Sequence, residues 1–418
     1  MSDETAIDEA EVKEILASVT VQIPKERKNK VTGEIVDKTD KPINEVESQT
    51  RDLMAEFGAI VEKEIDLVEE SGNKLTIPTG IDLLDAILGG GFAIGALNII
   101  VGQPGSGKTM VAVQAMAGGQ QKFKEKDGKA GLLSFFLDSE EATTPIRLHN
   151  LGVNTSLTKI YPQITIEKVF KVIEGLALFK INNNIVDVPS MIVWDSIANT
   201  LTQKEMETDD INSVIGYKAR MLSILIPKYV AKCAQNNICL VAVNQLRDVL
   251  SLGRFAPPKD LKLMSSDKDM PGGNILKYNA FHLIEMKIKT VIAKEKADQY
   301  GFEGVIVNVK CVKNKLFPPN VEVEIVGSFT NGFSNFWTNY NFLKETKRLT
   351  AGAWNYLVST PDIKFRTKDA EIIYNTNEIF KQAFDTAARE AIQTELVEKY
   401  NQLTAKNPSN ANMELEQN

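Results

Sequence analysis

Residues 102–109 read GQPGSGKT, that is Gly102, Gln103, Pro104, Gly105, Ser106, Gly107, Lys108 and Thr109. The four residues before them, NIIV at 98–101, form a short continuous apolar run, and a stretch of helical character opens near Lys108. A GxxxxGK[ST] loop between a strand and a helix is the setting in which backbone can cradle phosphate. Its glycines let N–H groups approach phosphate oxygens, and the first turn of the helix adds partial positive charge. Lys108 is therefore expected on the β- and γ-phosphates of ATP, and the Thr109 hydroxyl on Mg²⁺.

Outward from this loop the same texture repeats. LLSFFLD at 132–138, SMIVWD at 190–195 and ICLVAVN at 238–244 are apolar runs of strand length. Helical segments separate them, among them 167–178 and 215–236. Continuous apolar strands alternating with helices imply an α/β fold: a mainly parallel twisted sheet flanked by helices. The runs at 281–289 and 304–313 lie closer together and read as an antiparallel extension of that sheet. This core is expected to span 75–330. After residue 330 the pattern breaks into aromatic-rich turns, then a helix over 377–400, giving a small α+β C-terminal domain at 331–403. The polar tail 404–418 is expected to be disordered. At the other end, 1–44 is rich in Lys, Glu, Asp and Thr and reads as a mobile arm. Within 45–74, Leu53, Phe57 and Ile60 fall on one helical face that has nothing obvious in its own domain to pack on. There are no internal repeats.

Bulk properties exclude several classes. Of 418 residues, 43% are hydrophobic and 25% charged, which is ordinary for a soluble globular protein. No apolar run is long enough to span a bilayer, and the opening MSDETAIDEAEVKE lacks the basic and apolar regions of a signal peptide. A cytoplasmic protein with no membrane association is expected. Three cysteines without a CxxC pair, and only two histidines, exclude a structural zinc site. Cys233 and Cys239 lie in or near apolar segments, as buried reduced thiols would. A net charge of -7 argues against a nucleic-acid coat but leaves room for a local basic groove.

Two further carboxylate positions complete the chemistry. Asp195 ends the strand MIVWD, where a second magnesium ligand is needed, although an aspartate in that place can also cap a helix. Glu140 and Glu141 follow LLSFFLD, and either could accept a proton from water attacking the γ-phosphate.

The order of short motifs resembles the RecA family of strand-exchange ATPases, including the UvsX-type recombinases of tailed phages. The matching residues are TGIDLLDAILGGG (79–91), the phosphate loop, LDSE (137–140), RLHNLGV (147–153), VWDS (193–196), VNQLR (243–247), PGGNILKYNA (271–280) and VKNK (312–315), with a weaker GAW at 352–354. The resemblance assigns the catalytic base to Glu140 and makes Gln245 the sensor of the γ-phosphate. It makes Lys313 and Lys315 groups that reach ATP on the neighbouring subunit, and sets Lys277 and Tyr278 at subunit contacts. Arg147 stands where the family usually has an aromatic residue over adenine; a guanidinium plane can also stack on a base.

The resemblance also implies two DNA-facing loops, roughly 199–213 and 247–273. The first is acidic (Glu205, Glu207, Asp209, Asp210), so few DNA contacts are expected there. The second, with its flank to Lys277, carries Arg247, Arg254, Lys259, Lys262, Lys268 and Lys277 against four aspartates. Arg247, Arg254, Phe255, Gly272, Gly273 and Asn274 are its candidate DNA contacts: cations for phosphates, an aromatic ring for bases, glycines for close approach. The implied protein is a DNA-dependent ATPase that forms a helical homo-oligomeric filament on single-stranded DNA and pairs it with a homologous duplex. Its partners would include mediator and single-strand-binding proteins; a phage origin would place it in the bacterial cytoplasm. Residues 45–74 would then dock on the next subunit. The competing functions are a hexameric replicative helicase of the same core and a DNA-independent oligomeric ATPase.

Overall fold

Four runs of apolar residues build the centre of the molecule. The computed structural model describes residues 74–399, apart from 127–129, 142, 209, 215, 249–267 and 294–299. The expected N-terminal arm, the docking segment up to residue 73 and the polar tail lie outside the described residues. Strands β3 (Ala96–Gly102), β4 (Leu133–Asp138), β6 (Ser190–Asp195) and β7 (Ile238–Gln245) are largely buried. A strand covered on both faces has no polar side, so its sequence runs apolar instead of alternating.

These strands are parallel neighbours in a nine-stranded sheet of order β13-β12-β11-β10-β3-β7-β6-β4-β5. The outer members are β5 (Thr158–Pro162), β10 (Ala280–Ile292), β11 (Gly304–Lys313), β12 (Val321–Ser328) and β13 (Gly332–Ser334). β10 lies parallel to β3, and from β10 outward every pairing is antiparallel. The antiparallel extension read at 281–289 and 304–313 is therefore present, and two strands longer than expected. A short ribbon of β1 (Thr76–Ile77) and β2 (Phe92–Ala93) precedes the sheet.

Alternate residues of the central strands feed two cores. Ile100, Met191, Val193, Val241 and Val243 pack with α1 (Asp82–Leu88) and α2 (Lys108–Lys122). Ile99, Val101, Leu137, Ile192, Trp194, Leu240 and Ala242 pack with α4 (Ile166–Asn182) and α7 (Tyr217–Gln235). The short helices α3 (Pro145–Asn150), α5 (Gln203–Glu207), α6 (Ile211–Val214) and α8 (Asn274–Asn279) lie in the connections that follow β4, β6 and β7. Cys233, Cys239 and Cys311 are free and buried. Among the described residues no helix is long and apolar enough to cross a membrane.

The segment after 330 corrects the expectation of aromatic-rich turns. Its aromatic residues form β13 and then α9 (Asn335–Glu345), whose N-terminus is capped by the Ser334 hydroxyl accepting the Trp337 N–H at 3.2 Å. Phe336, Trp337, Tyr340 and Leu343 recur at helical spacing on the buried side. A three-stranded sheet follows, β14 (Leu349–Thr350), β15 (Asn355–Leu357) and β16 (Thr360–Phe365), then α10 (Ala370–Thr376) and α11 (Glu378–Ile392). Asn377 caps α11, and the helix continues in wider turns through 393–398. Phe380 and Phe384 of α11 share a core with Ile292 and Val326 of the large sheet.

Candidate nucleotide site

β3 delivers the phosphate loop at its C-terminal end, and the local sequence explains the loop's shape. Gly105 and Gly107 have φ of +76° and +82°, the left-handed region that side chains disfavour. A Cβ on Gly102 would lie 2.4 Å from the Met286 carbonyl oxygen of the adjacent strand β10, so only glycine lets the chain turn there. Three donors converge on the Gln103 carbonyl: the Ser106 N–H at 3.3 Å, its hydroxyl at 2.8 Å and the Lys108 ammonium at 2.8 Å. Lys108 is folded back across the loop and buried. Burial draws its pKa down, against the opposing pull of Asp195 and Glu140.

Asp195 ends β6 next to α2, and the Thr109 hydroxyl donates to its carboxylate at 2.6 Å. Burial pushes the Asp195 carboxyl up to about 6, with the Thr109 bond working the other way and Glu140 and Asp138 adding negative charge. A hydroxyl and a buried carboxylate are hard oxygen donors. They suit a small divalent cation that takes the rest of its shell from phosphate and water. Among the described residues no group of three His, Cys, Asp or Glu side chains could hold a metal without such help.

Glu140 lies on the turn after β4, and that turn is built by its neighbours. Asp138 accepts the N–H of Glu140 at 3.0 Å and of Thr143 at 3.1 Å. The Ser139 hydroxyl donates to the carbonyls of Asp195 and Ser196 and accepts the Ser196 N–H at 2.9 Å, joining the ends of β4 and β6. One carboxylate oxygen of Glu140 then accepts three donors: Ser196 Oγ at 2.7 Å, Asn199 Nδ2 at 2.6 Å and, more distantly, Gln245 Nε2 at 3.4 Å. These contacts favour Glu140 over Glu141 as the organised carboxylate. Asp138, Ser139, Ser196 and Asn199 were not singled out in the sequence. The first three lie inside LDSE and VWDS, the signal that could have found them; Asn199 has no such signal.

Gln245 closes β7 and stands at the mouth of the second loop. The loop's two ends pair as an antiparallel ribbon, β8 (Arg247–Asp248) with β9 (Lys268–Asp269). The Asn244 amide donates to the Pro271 carbonyl at 2.8 Å, pinning the returning strand beside the outgoing one. Arg254 and Phe255, with Lys259 and Lys262, lie outside the described residues. Gly272 has φ of +103°, and a Cβ there would strike Leu276 at 2.5 Å, so its backbone approaches its own chain. Gly273 is open on that side and starts α8 at Asn274.

Three further candidates, Lys313, Lys315 and Arg147, are engaged by groups of their own chain. Lys313 pairs with Leu283, which lies level with Ile99, three residues before the end of β3. β11 runs away from the phosphate-loop end of the sheet and ends at Lys313. Its ammonium donates to the carbonyls of Lys277 at 2.9 Å and Tyr278 at 2.7 Å, while the Lys315 ammonium sits 5.7 Å from the centre of the Phe281 ring. Arg147 is also engaged: its guanidinium donates to the Thr330 carbonyl at 2.7 Å, tying α3 to the turn between β12 and β13.

A family model described as the RecA N-terminal domain matches residues 48–334. The Protein RecA of Borrelia duttonii (strain Ly) is 31% identical over 261 residues, 62% of this chain and 64% of that protein. The Protein RecA of Treponema denticola is 31% identical over 258 residues, covering 61% and 56% of the two chains. The Protein RecA of Borrelia hermsii (strain HS1 / DAH) is 31% identical over 287 residues, covering 67% and 71%. The match thus spans less than two thirds of the first two relatives.

Proposed function

We infer the function from one premise: this chain belongs to the RecA family. It is an ATP-dependent recombinase that polymerises on single-stranded DNA, pairs it with a homologous duplex and promotes strand exchange. The observation that carries this is the contact between the Gln245 amide and Glu140, because Gln245 also opens the second loop. A change in that loop on binding DNA bears directly on the carboxylate that would activate water.

ATP binds with its phosphates on the loop from Gly102 to Thr109. Lys108 exchanges the Gln103 carbonyl for phosphate oxygens. Thr109 and Asp195 hold Mg²⁺, which supplies charge neutralisation at the phosphates when bound. Glu140 accepts a proton from the attacking water, and Gln245 senses the terminal phosphate with an uncharged donor. Lys313 and Lys315 complete the site of the next subunit in trans, as an arginine finger does. Their position away from the phosphate loop of their own chain supports this. Residues 45–74 dock on that neighbour, 75–330 form the ATPase core and 331–403 a smaller C-terminal domain. Arg247, Arg254, Phe255, Gly272, Gly273 and Asn274 form the DNA surface, and Arg147 lies beside the adenine.

The test is the ATPase rate of the full chain with and without single-stranded DNA, with negative-stain imaging. DNA-stimulated hydrolysis and helical filaments are expected. Rings would favour the helicase, and a rate indifferent to DNA would favour the DNA-independent ATPase. Lys108→Ala and Glu140→Ala should both abolish hydrolysis, while Glu140→Ala still binds ATP and DNA. Loss of both binding activities would remove Glu140 from the role of base.

A further inference from the structure

The contact that Gln245 makes with Glu140 is the weaker of two loop contacts. The first loop begins at Asn199, whose amide lies 2.6 Å from the same carboxylate oxygen that Gln245 approaches at 3.4 Å. Distances in that range separate a short, charge-assisted bond from a marginal one.

Asn199 is itself exposed, yet its neighbours Ala198 and Thr200 are buried. Both flanking carbonyls accept the Lys218 ammonium, Ala198 at 2.9 Å and Thr200 at 2.7 Å. The Thr200 hydroxyl donates to the Ser196 carbonyl at 2.7 Å and accepts the indole N–H of buried Trp194 at 2.7 Å. The backbone is thus anchored on both sides of one solvent-facing amide. Lys218 belongs to the first turn of α7, where the first loop returns to the core. One ammonium therefore holds the departing and returning ends of that loop together.

We propose that Asn199 is a positioning residue for Glu140 and that Lys218 keeps it in place, so that both loops govern one carboxylate oxygen. The inference rests on Glu140 being the base. The Asn199 amide donates to the Glu140 carboxylate, fixing the oxygen that accepts hydrogen bonds and leaving the other free to meet water. Acting through Glu140, Asn199 should affect turnover on its loss and not ATP affinity.

Steady-state ATPase measurements on the full chain, with and without saturating single-stranded DNA, test this. Asn199→Asp keeps the shape but sets a carboxylate against Glu140. It should lower kcat about ten-fold or more while KM for ATP and DNA affinity stay within about two-fold. Asn199→Gln keeps the amide on a longer arm and should recover part of that loss. Lys218→Met should lower kcat by about three-fold or more, yet add little to Asn199→Asp, since it acts through the same residue. A kcat for Asn199→Asp within two-fold of wild type overturns the proposal. So does an equal loss of kcat, ATP affinity and DNA affinity in Asn199→Asp and Asn199→Gln, which marks a merely structural residue. The wild-type response to DNA judges the recombinase function separately, because the ratio of variant to wild-type kcat is read in either condition.

Discussion

The edge strand β13 is held by a side chain standing in for a missing strand, and this can be broken cleanly. The Gln114 amide donates to the Phe333 carbonyl at 2.8 Å, and its oxygen accepts the Phe333 N–H at 2.8 Å. Phe333 is 4% exposed, so water cannot readily replace either bond. Gln114→Leu keeps roughly the same volume but leaves one donor and one acceptor unpaired. At about 1–3 kcal/mol for each buried unsatisfied group, the loss should be about 3 kcal/mol. For a chain of 418 residues, the entropy of unfolding converts each kcal/mol into about 1 °C, so the unfolding midpoint should fall by about 3 °C. The same change should reach the nucleotide site. A Cβ on Gly107 would fall 2.6 Å from the Phe333 ring, so that ring lies against the phosphate loop. Thermal unfolding followed by fluorescence, with and without ATP and magnesium, reads both effects, the second as a smaller upshift on adding nucleotide. A fall of less than about 1 °C would show that Phe333 finds other partners and that the pairing carries little of the strand's stability.

Two further outcomes are expected. Thr109→Val removes the donor that lies 2.6 Å from Asp195 while keeping the branched shape; affinity for ATP with Mg²⁺ in a fluorescent-nucleotide titration should drop about ten-fold or more, and an unchanged affinity would deny Thr109 a part in holding the metal. Burial pulls the His282 ring down to about 4 from 6.5, so the unfolded chain binds a proton there below neutrality while the folded chain does not. Stability that is intact above pH 6.5 is then lost as pH falls toward 4, by about 2.5 kcal/mol at pH 4.5. Urea unfolding of wild type and His282→Gln at pH 7.5 and 4.5 should show that share of the acid loss only in the wild type.

What the sequence revealed follows from where each element is buried. β3, β4, β6 and β7 were legible because covering both faces leaves an unmistakable apolar run. β12 was not foreseen: VEVEI alternates as a half-buried strand does, but it lacks the continuous apolar run by which the inner strands stand out. β5 is a five-residue edge strand with little buried surface to shape its composition. The aromatic residues of 335–345 looked like turns because Ser334 precedes them and Asn335, Asn339 and Asn341 punctuate them, yet Ser334 serves as a cap and Phe336, Trp337 and Tyr340 are buried. In the candidate site, the phosphate loop and Asp195 could be placed because each follows or ends a buried apolar strand. The contact of Asn199 with Glu140 was not, because it depends on how Lys218, remote in sequence, ties down the intervening turn. Lys313 and Lys315 stand out in the sequence only by motif, and strand register sets Lys313 three residues short of the strand end that carries the phosphate loop.

The parallel strands have one more consequence. Gly102 pairs with Gln245, Val243 with Asp195 and Asp195 with Asp138, so the groups of the candidate site stand at the ends of four adjacent, in-register strands. Neighbouring strands are about 4.8 Å apart, whatever side chains they carry. The sheet therefore acts as a fixed gauge, and substitutions within it leave the spacing of the chemistry untouched. A one-residue deletion in any of these strands is different in kind. It slips that strand's end by about 3.3 Å and exchanges its two faces. Distances between these active groups are quantised: they tolerate changes of residue and forbid changes of length.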